Sequence, residues 1–175
     1  QLKNSAAKAF AEEVGKTEFV RGYEELMDRQ NPAAAIPLFE KSVERTPACI
    51  ECQLLLGLAL LHTGRWSSAS KQLENATIVS DLFETKPPEL PLMKGILEAW
   101  QGHVNEAVGL YENVLEEAPQ NALALQELGR VAVAQKKWDT AEQFLSRALQ
   151  AGAGEDARLL RVRALLELGI VEEAL

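Results

Sequence analysis

The residues best suited to chemistry are two cysteines, Cys49 and Cys52, separated by Ile50 and Glu51. That spacing at a helix start can make a thiol reactive, because the positive end of the helix dipole favours the thiolate. It can also supply half of a tetrahedral zinc site, but the other half needs two more ligands, and the only histidines are His62 and His103. Haem attachment needs a histidine directly after the second cysteine, where this chain has Gln53. A thioredoxin-like pair needs strands alternating with helices, and no such alternation is legible. Three readings stay open: small buried residues at a helix start, a local disulfide in an exported protein, or a working redox couple.

Little else suggests catalysis. His62 and His103 stand alone, and no Ser-His-Asp grouping, HExxH, phosphate-cradling glycine loop or paired-carboxylate motif occurs. No cofactor motif is present either. Glu116-Glu117 and Glu172-Glu173 read as solvated helix faces. If the chain accompanies an enzyme, the catalytic part lies outside this segment.

Net charge −8 and a pI near 4.9 argue against a nucleic-acid partner, since a phosphate backbone would be repelled on average. Arg158, Arg161 and Arg163 form the only dense basic strip. No run of 18 apolar residues occurs, so no membrane insertion is expected. The reading is a soluble protein, either cytoplasmic or periplasmic or otherwise exported after loss of a signal peptide. The chain starts at Gln1 and ends inside a helical pattern at Leu175, which reads as a fragment or processed product.

The elements that must position these residues are helices. Alanine and leucine dominate an apolar content of 47%, while aromatics are only 6%, a balance that costs little in a helix. Five segments align: Asn31 to Phe39, Gly64 to Leu73, Gly102 to Tyr111, Lys136 to Leu145, and Gly169 to Ala174. Their shared alanines are Ala35, Ala69, Ala107, Ala141 and Ala174, at intervals of 34, 38, 34 and 33 residues by subtraction. A period near 34 suits a helical hairpin that stacks on copies of itself.

With these residues in view, the chain resembles the tetratricopeptide repeat family. Leu56-Gly57 and Leu128-Gly129 resemble the family's Leu-Gly pair on the first helix of a repeat. Ala69 with Leu73 and Ala141 with Leu145 resemble its alanine and large apolar residue on the second. Pro47 and Pro119 resemble its closing proline. The pattern departs at Gly22-Tyr23, shifted by one residue, at Lys94-Gly95, and at Val162, where glycine is expected. The resemblance implies an all-α, right-handed α-solenoid of stacked antiparallel helix pairs. About 4.5 repeats and an N-terminal helix (residues 1–15) make one domain, with repeats at 16–49, 50–87, 88–121 and 122–154 and a truncated fifth at 155–175.

The residues explain such packing. Gly57, Gly129, Ala69 and Ala141 let antiparallel helices approach, and large neighbours fill the flanking space. Helices are expected near 17–29, 32–45, 50–62, 66–84, 90–101, 104–117, 122–135, 138–151 and 155–167, with others at 3–14 and from about 171. Trp66 and Trp138 hold matching places and read as repeat core. The four extra residues between Ala69 and Ala107 amount to about one helical turn. They predict an extended helix from Trp66 that shows Leu82 and Phe83 as extra apolar surface.

In this family the first helix of each hairpin lines a concave groove. That implication places Val20, Glu24, Met27 and Asp28 on the binding face, followed by Leu54, Leu58, Leu61 and His62. Leu92, Ile96, Ala99 and Trp100 come next, then Gln126, Arg130, Val133 and Ala134, with Arg163 and Leu166 beyond. Family members that hold acidic chaperone tails use lysine and asparagine there, whereas this chain has Leu54, Leu58 and Glu24. A non-catalytic scaffold binding an apolar peptide or amphipathic helix of a partner protein is therefore the first expectation. The second is a structural or oligomerisation module, or a spacer, within a longer protein.

Overall fold

The computed structural model describes residues 18–170. Among them every regular element is helical: α1 (Glu18–Tyr23) runs into a π-helical turn (Glu24–Asp28), then come α2 (Pro32–Arg45), α3 (Ile50–His62), α4 (Trp66–Leu82), α5 (Glu89–Gln101), α6 (Val104–Glu117), α7 (Ala122–Ala134), α8 (Trp138–Gln150) and α9 (Glu155–Glu167). The helices expected at 3–14 and after 171 lie outside the described residues. Two compact units divide the chain at Met93 and Lys94, within α5. In the first, α1 packs on α2, α2 on α3 and α3 on α4; in the second, α6 packs on α7, α7 on α8, and α9 on α8 and α7.

One joint recurs in each hairpin. Ala35, Ala69, Ala107 and Ala141 are fully buried. Four residues after each comes a large side chain, Phe39, Leu73, Tyr111 or Leu145, that presses on a glycine of the preceding helix. A Cβ placed on Gly22 would meet Phe39 at 2.9 Å, on Gly57 Leu73 at 3.0 Å, on Gly95 Tyr111 at 2.5 Å, and on Gly129 Leu145 at 2.6 Å. The glycines thus remove the one atom that would hold the helices apart. Gly95 keeps this role although the leucine before it has become Lys94.

The one-residue shift in the first repeat also has a structural cause. Gly22 precedes Ala35 by 13 residues, whereas Gly57, Gly95 and Gly129 precede their alanines by 12. The surplus residue is absorbed by the π-helical turn, in which the Arg29 N–H donates to the Glu24 carbonyl five residues back at 3.0 Å.

Turns repeat as well. Gln30, Gly64, Gly102, Lys136 and Gly169 stand five residues before the five alanines, and all have φ between +51° and +89°. Left-handed geometry there ends one helix and starts the next. The extended helix is present: α4 has 17 residues against 14 in α2 and α6. Ile78, Leu82 and Phe83 near its end are exposed by 65%, 73% and 55%.

Candidate functional site

The two cysteines are bonded as a disulfide, with Cα atoms 5.3 Å apart. Cys49 is the N-cap of α3, and the Cys52 N–H donates to its Sγ at 3.1 Å. The same places in α7, 72 residues later, hold Asn121 and Ala124. There the Ala124 N–H donates to Asn121 Oδ1 at 3.0 Å, and Ala124 is fully buried. The cysteines therefore take over two ordinary jobs, a cap and a small buried residue, with Cys49 only 6% exposed and Cys52 not at all. Burial of this kind suits a structural bond rather than a thiol open to exchange.

The remaining chemical candidates are dispersed. His62 is exposed at the end of α3, and the ring Nδ1 of His103 lies 2.7 Å from Glu98 Oε2. Among the described residues no three His, Cys, Asp or Glu side chains gather as a metal site, and no helix is long and apolar enough to cross a membrane. Two arginines of the strip are engaged by their own chain: Arg158 pairs with Glu155, while Arg161 reaches Glu142 Oε1 at 3.2 Å and Ser146 Oγ at 2.7 Å.

A groove of about 530 Å³ opens in the first unit. Its walls are rows of side chains spaced four residues apart: Phe19, Tyr23 and Met27 from the first helix, and Ile50, Leu54 and Leu58 from α3. Such residues share one helix face. Leu55, Met93 and the pair Pro87-Pro88 complete the apolar lining, and Glu51, Glu89, Lys86 and Thr85 supply polar edges. Phe19 is set by an edge-to-face contact with Phe39, ring centres 6.1 Å apart. The segment after the long α4 brings Thr85 to Pro88 to the rim, and the Thr85 carbonyl accepts from Ser80 Oγ.

Of the expected binding residues, the groove brings together Leu54 and Leu58, with Met27 from the first repeat. Leu61 and Leu92 are buried. His62 is exposed and not part of the lining. Ile96, Trp100, Gln126 and Arg130 belong to the second unit, where Ile96 and Gln126 are half-buried and Trp100 and Arg130 exposed. Arg130 Nε lies 3.2 Å from Glu127 Oε2.

The groove is lined by Phe19 and Tyr23, where the expected binding face had Val20 and Glu24. Counting a fixed 34 residues back from Leu54 and Leu58 reaches Val20 and Glu24, whereas aligning Gly22 with Gly57 reaches Phe19 and Tyr23. The glycine was the signal, and the extra residue in the π-helical turn misled the count. Ile50, four residues before Leu54 on the same helix face, carried that signal too, whereas Met93 and the Thr85–Glu89 rim carried none, since only folding brings them alongside.

Comparison with known proteins agrees with this geometry. A profile described as Tetratricopeptide repeat matches residues 26–78 and 101–166, more than half of the chain. The chain is similar to TTC0263, a thermophilic repeat protein of Thermus thermophilus, at 20% identity and TM-score 0.73, covering 91% of this chain and 85% of that one. It is similar to a chain of the Cut9–Hcn1 hetero-tetramer of the APC/C at 18% identity and TM-score 0.75, covering 90% of this chain and 32% of that one. MamA from Desulfovibrio magneticus RS-1 is matched at 15% identity and TM-score 0.65, over 93% and 89% of the two chains. No curated protein sequence matches the chain. At such identities the structural likenesses speak to fold alone, while the profile, the recurring Gly–Ala–large joint and the left-handed turns assign the chain to the tetratricopeptide repeat family.

Proposed function

We propose that the chain is a non-catalytic scaffold that holds an apolar peptide or amphipathic helix of a partner protein between its first helix and α3. The observation that carries this is the two facing rows, Phe19, Tyr23, Met27 and Ile50, Leu54, Leu58, around an open groove of about 530 Å³. Tyr23 and Met27 are 46% and 42% exposed, so apolar area remains to be covered. A helix presenting apolar residues at four-residue steps matches such walls. The rim does not suit an acidic tail, because Glu51 and Glu89 outnumber Lys86 there.

The test is selection of displayed helical peptides on the immobilised chain, followed by calorimetric titration of the best binder. The selected sequences should share apolar residues four apart. Binding should fall at least about tenfold in Tyr23→Asp and Leu58→Asp, corresponding to about 1.4 kcal/mol or more. Selection of no common pattern, or affinity indifferent to both substitutions, would refute the reading. Ile78, Leu82 and Phe83 favour a second role, self-association through the end of α4. In that case light scattering shows a concentration-dependent mass that Leu82→Glu abolishes.

A further inference from the structure

Two carboxylates line the groove, and the chain itself uses neither. Glu51 and Glu89 are exposed, and among the described residues neither has a hydrogen bond or an ion pair. Lys86 is the one base among the lining residues, and it pairs with neither. Each acid precedes an apolar lining residue of its own helix by four positions, Glu51 before Leu55 and Glu89 before Met93. Residues so spaced share a helix face. The charge therefore stands one turn beyond the apolar lining, where α3 and α5 begin.

The two acids also hold one repeat position, six residues before the joint glycines Gly57 and Gly95. A carboxylate in a first turn favours any helix, because it faces the positive end of the dipole. That alone does not account for the position. In α7 the residue six before Gly129 is Leu123, and the first turn holds no acid, although α7 carries the same cap and the same joint. The acids thus accompany the groove rather than the hairpin. Their surroundings add to the field: residues 18–93 hold eleven acidic side chains against seven basic ones, a net charge of −4. Such a field draws cations in and turns anions away.

We infer that the groove selects a cationic amphipathic helix of the partner, whose lysine or arginine side chains one turn beyond the apolar row meet Glu51 and Glu89. The inference rests on the groove being a binding surface and adds the charge of what it holds. It is tested with two synthetic helical peptides that share a row of leucines four apart. One carries lysine a turn beyond each end of that row, the other glutamate at the same places. Calorimetric titration of the full chain at low salt should favour the lysine peptide by about fivefold, the upper range for an exposed ion pair. Added salt should shrink the difference, because exposed charges are screened.

Glu51→Lys combined with Glu89→Lys should reverse the preference, so that the glutamate peptide binds the tighter. Glu51→Gln combined with Glu89→Gln, which adds no new charge, should hold the two peptides about equally. An unchanged helical circular dichroism signal in both double variants ties these effects to charge rather than to folding. Equal binding of the two peptides by the unaltered chain overturns the inference, as does a lysine preference that survives the reversal, which places the cation elsewhere on the chain. In both of those cases a loss of both peptides in Leu58→Asp keeps the groove reading in place, so the two fail separately. Binding of neither peptide rejects the groove reading itself, and this inference with it.

Discussion

Positions 54, 55 and 58 of α3 hold three leucines; their counterparts in α7, 72 residues on, are Gln126, Glu127 and Arg130. Both helices carry the same joint, with Gly57 against Leu73 in one and Gly129 against Leu145 in the other. Both start on a capping side chain, Cys49 or Asn121. They differ on the flank beside the joint. In the first unit that flank contributes Leu54, Leu55 and Leu58 to an open groove; in the second it carries an ion pair, Arg130 to Glu127, at 3.2 Å. An exposed pair of this kind contributes little, about 0–1 kcal/mol. The contrast separates two roles of one helix: the glycine row builds the hairpin, and the flank beside it is free to be apolar where something is to be held.

The comparison breaks first at the joints. Gly57 faces the flexible end of Leu73 at 3.0 Å, whereas Gly95 faces the rigid ring of Tyr111 at 2.5 Å, and Gly129 meets Cγ as well as Cδ2 of Leu145 at 2.6 Å. Alanine improves helix propensity by about 1 kcal/mol over glycine, while overpacking a tight contact costs about 1–3 kcal/mol. Gly57→Ala should therefore be close to neutral or slightly stabilising, and Gly95→Ala and Gly129→Ala should show a net loss of up to about 2 kcal/mol. Urea unfolding followed by circular dichroism measures this, and equal losses at all three sites would show that the joints are not graded as described.

The second unit also hides a polar atom that the first does not share at that place. Tyr111 occupies the position of Leu73 and Leu145, fully buried, and its hydroxyl finds no hydrogen-bond partner among the described residues. Burial, reinforced by the charge of Glu127 and opposed by Arg130, pushes its ionisation well above the ordinary value near 10. A raised folded-state pKa means that the contribution is intact below the unfolded value and is lost as pH climbs past it. Stability should then fall above pH 10 by up to about 1.4 kcal/mol per pH unit from this group. Tyr111→Phe should lessen that decline and cost little at neutral pH, since no bond is lost. Denaturant midpoints measured between pH 8 and 11 decide the matter, and an identical alkaline slope in the variant refutes it.

How much of this was readable beforehand follows from which contacts are local. The alanines, the hairpin boundaries and the long α4 were legible because each depends on residues within one repeat. The groove was half legible. Leu54 and Leu58 follow from phase with Gly57, but Phe19 and Tyr23 were hidden by a π-helical turn whose extra residue leaves no mark of its own in composition. Met93, Pro87 and Pro88 reach the groove through the path of the chain after α4, a tertiary fact that no periodicity encodes. Cys49 and Cys52 drew attention by type, and their meaning emerged only when α7 supplied Asn121 and Ala124 in the same places.

The finest distinction lies in the turns. Gly64 in the first unit and Lys136 in the second stand at one repeat position, with φ of +69° and +57°. A side chain in left-handed geometry crowds the following carbonyl, at a cost of about 1–2 kcal/mol. Glycine avoids that cost but gives back part of the gain as unfolded-state entropy, about 0.4–1 kcal/mol. The net expectation is that Lys136→Gly stabilises by roughly 0.5–1 kcal/mol and Gly64→Lys destabilises by a similar amount. Lys136 is exposed, and the added Cβ at Gly64 would meet nothing nearer than the Trp66 ring nitrogen at 3.6 Å, so neither change disturbs packing. Thermal midpoints of the two single variants and the double should therefore shift in opposite directions and cancel. Two shifts of the same sign would mean that the turns of the two units are not interchangeable, and that the shared register of the alanines does not extend to the loops between them.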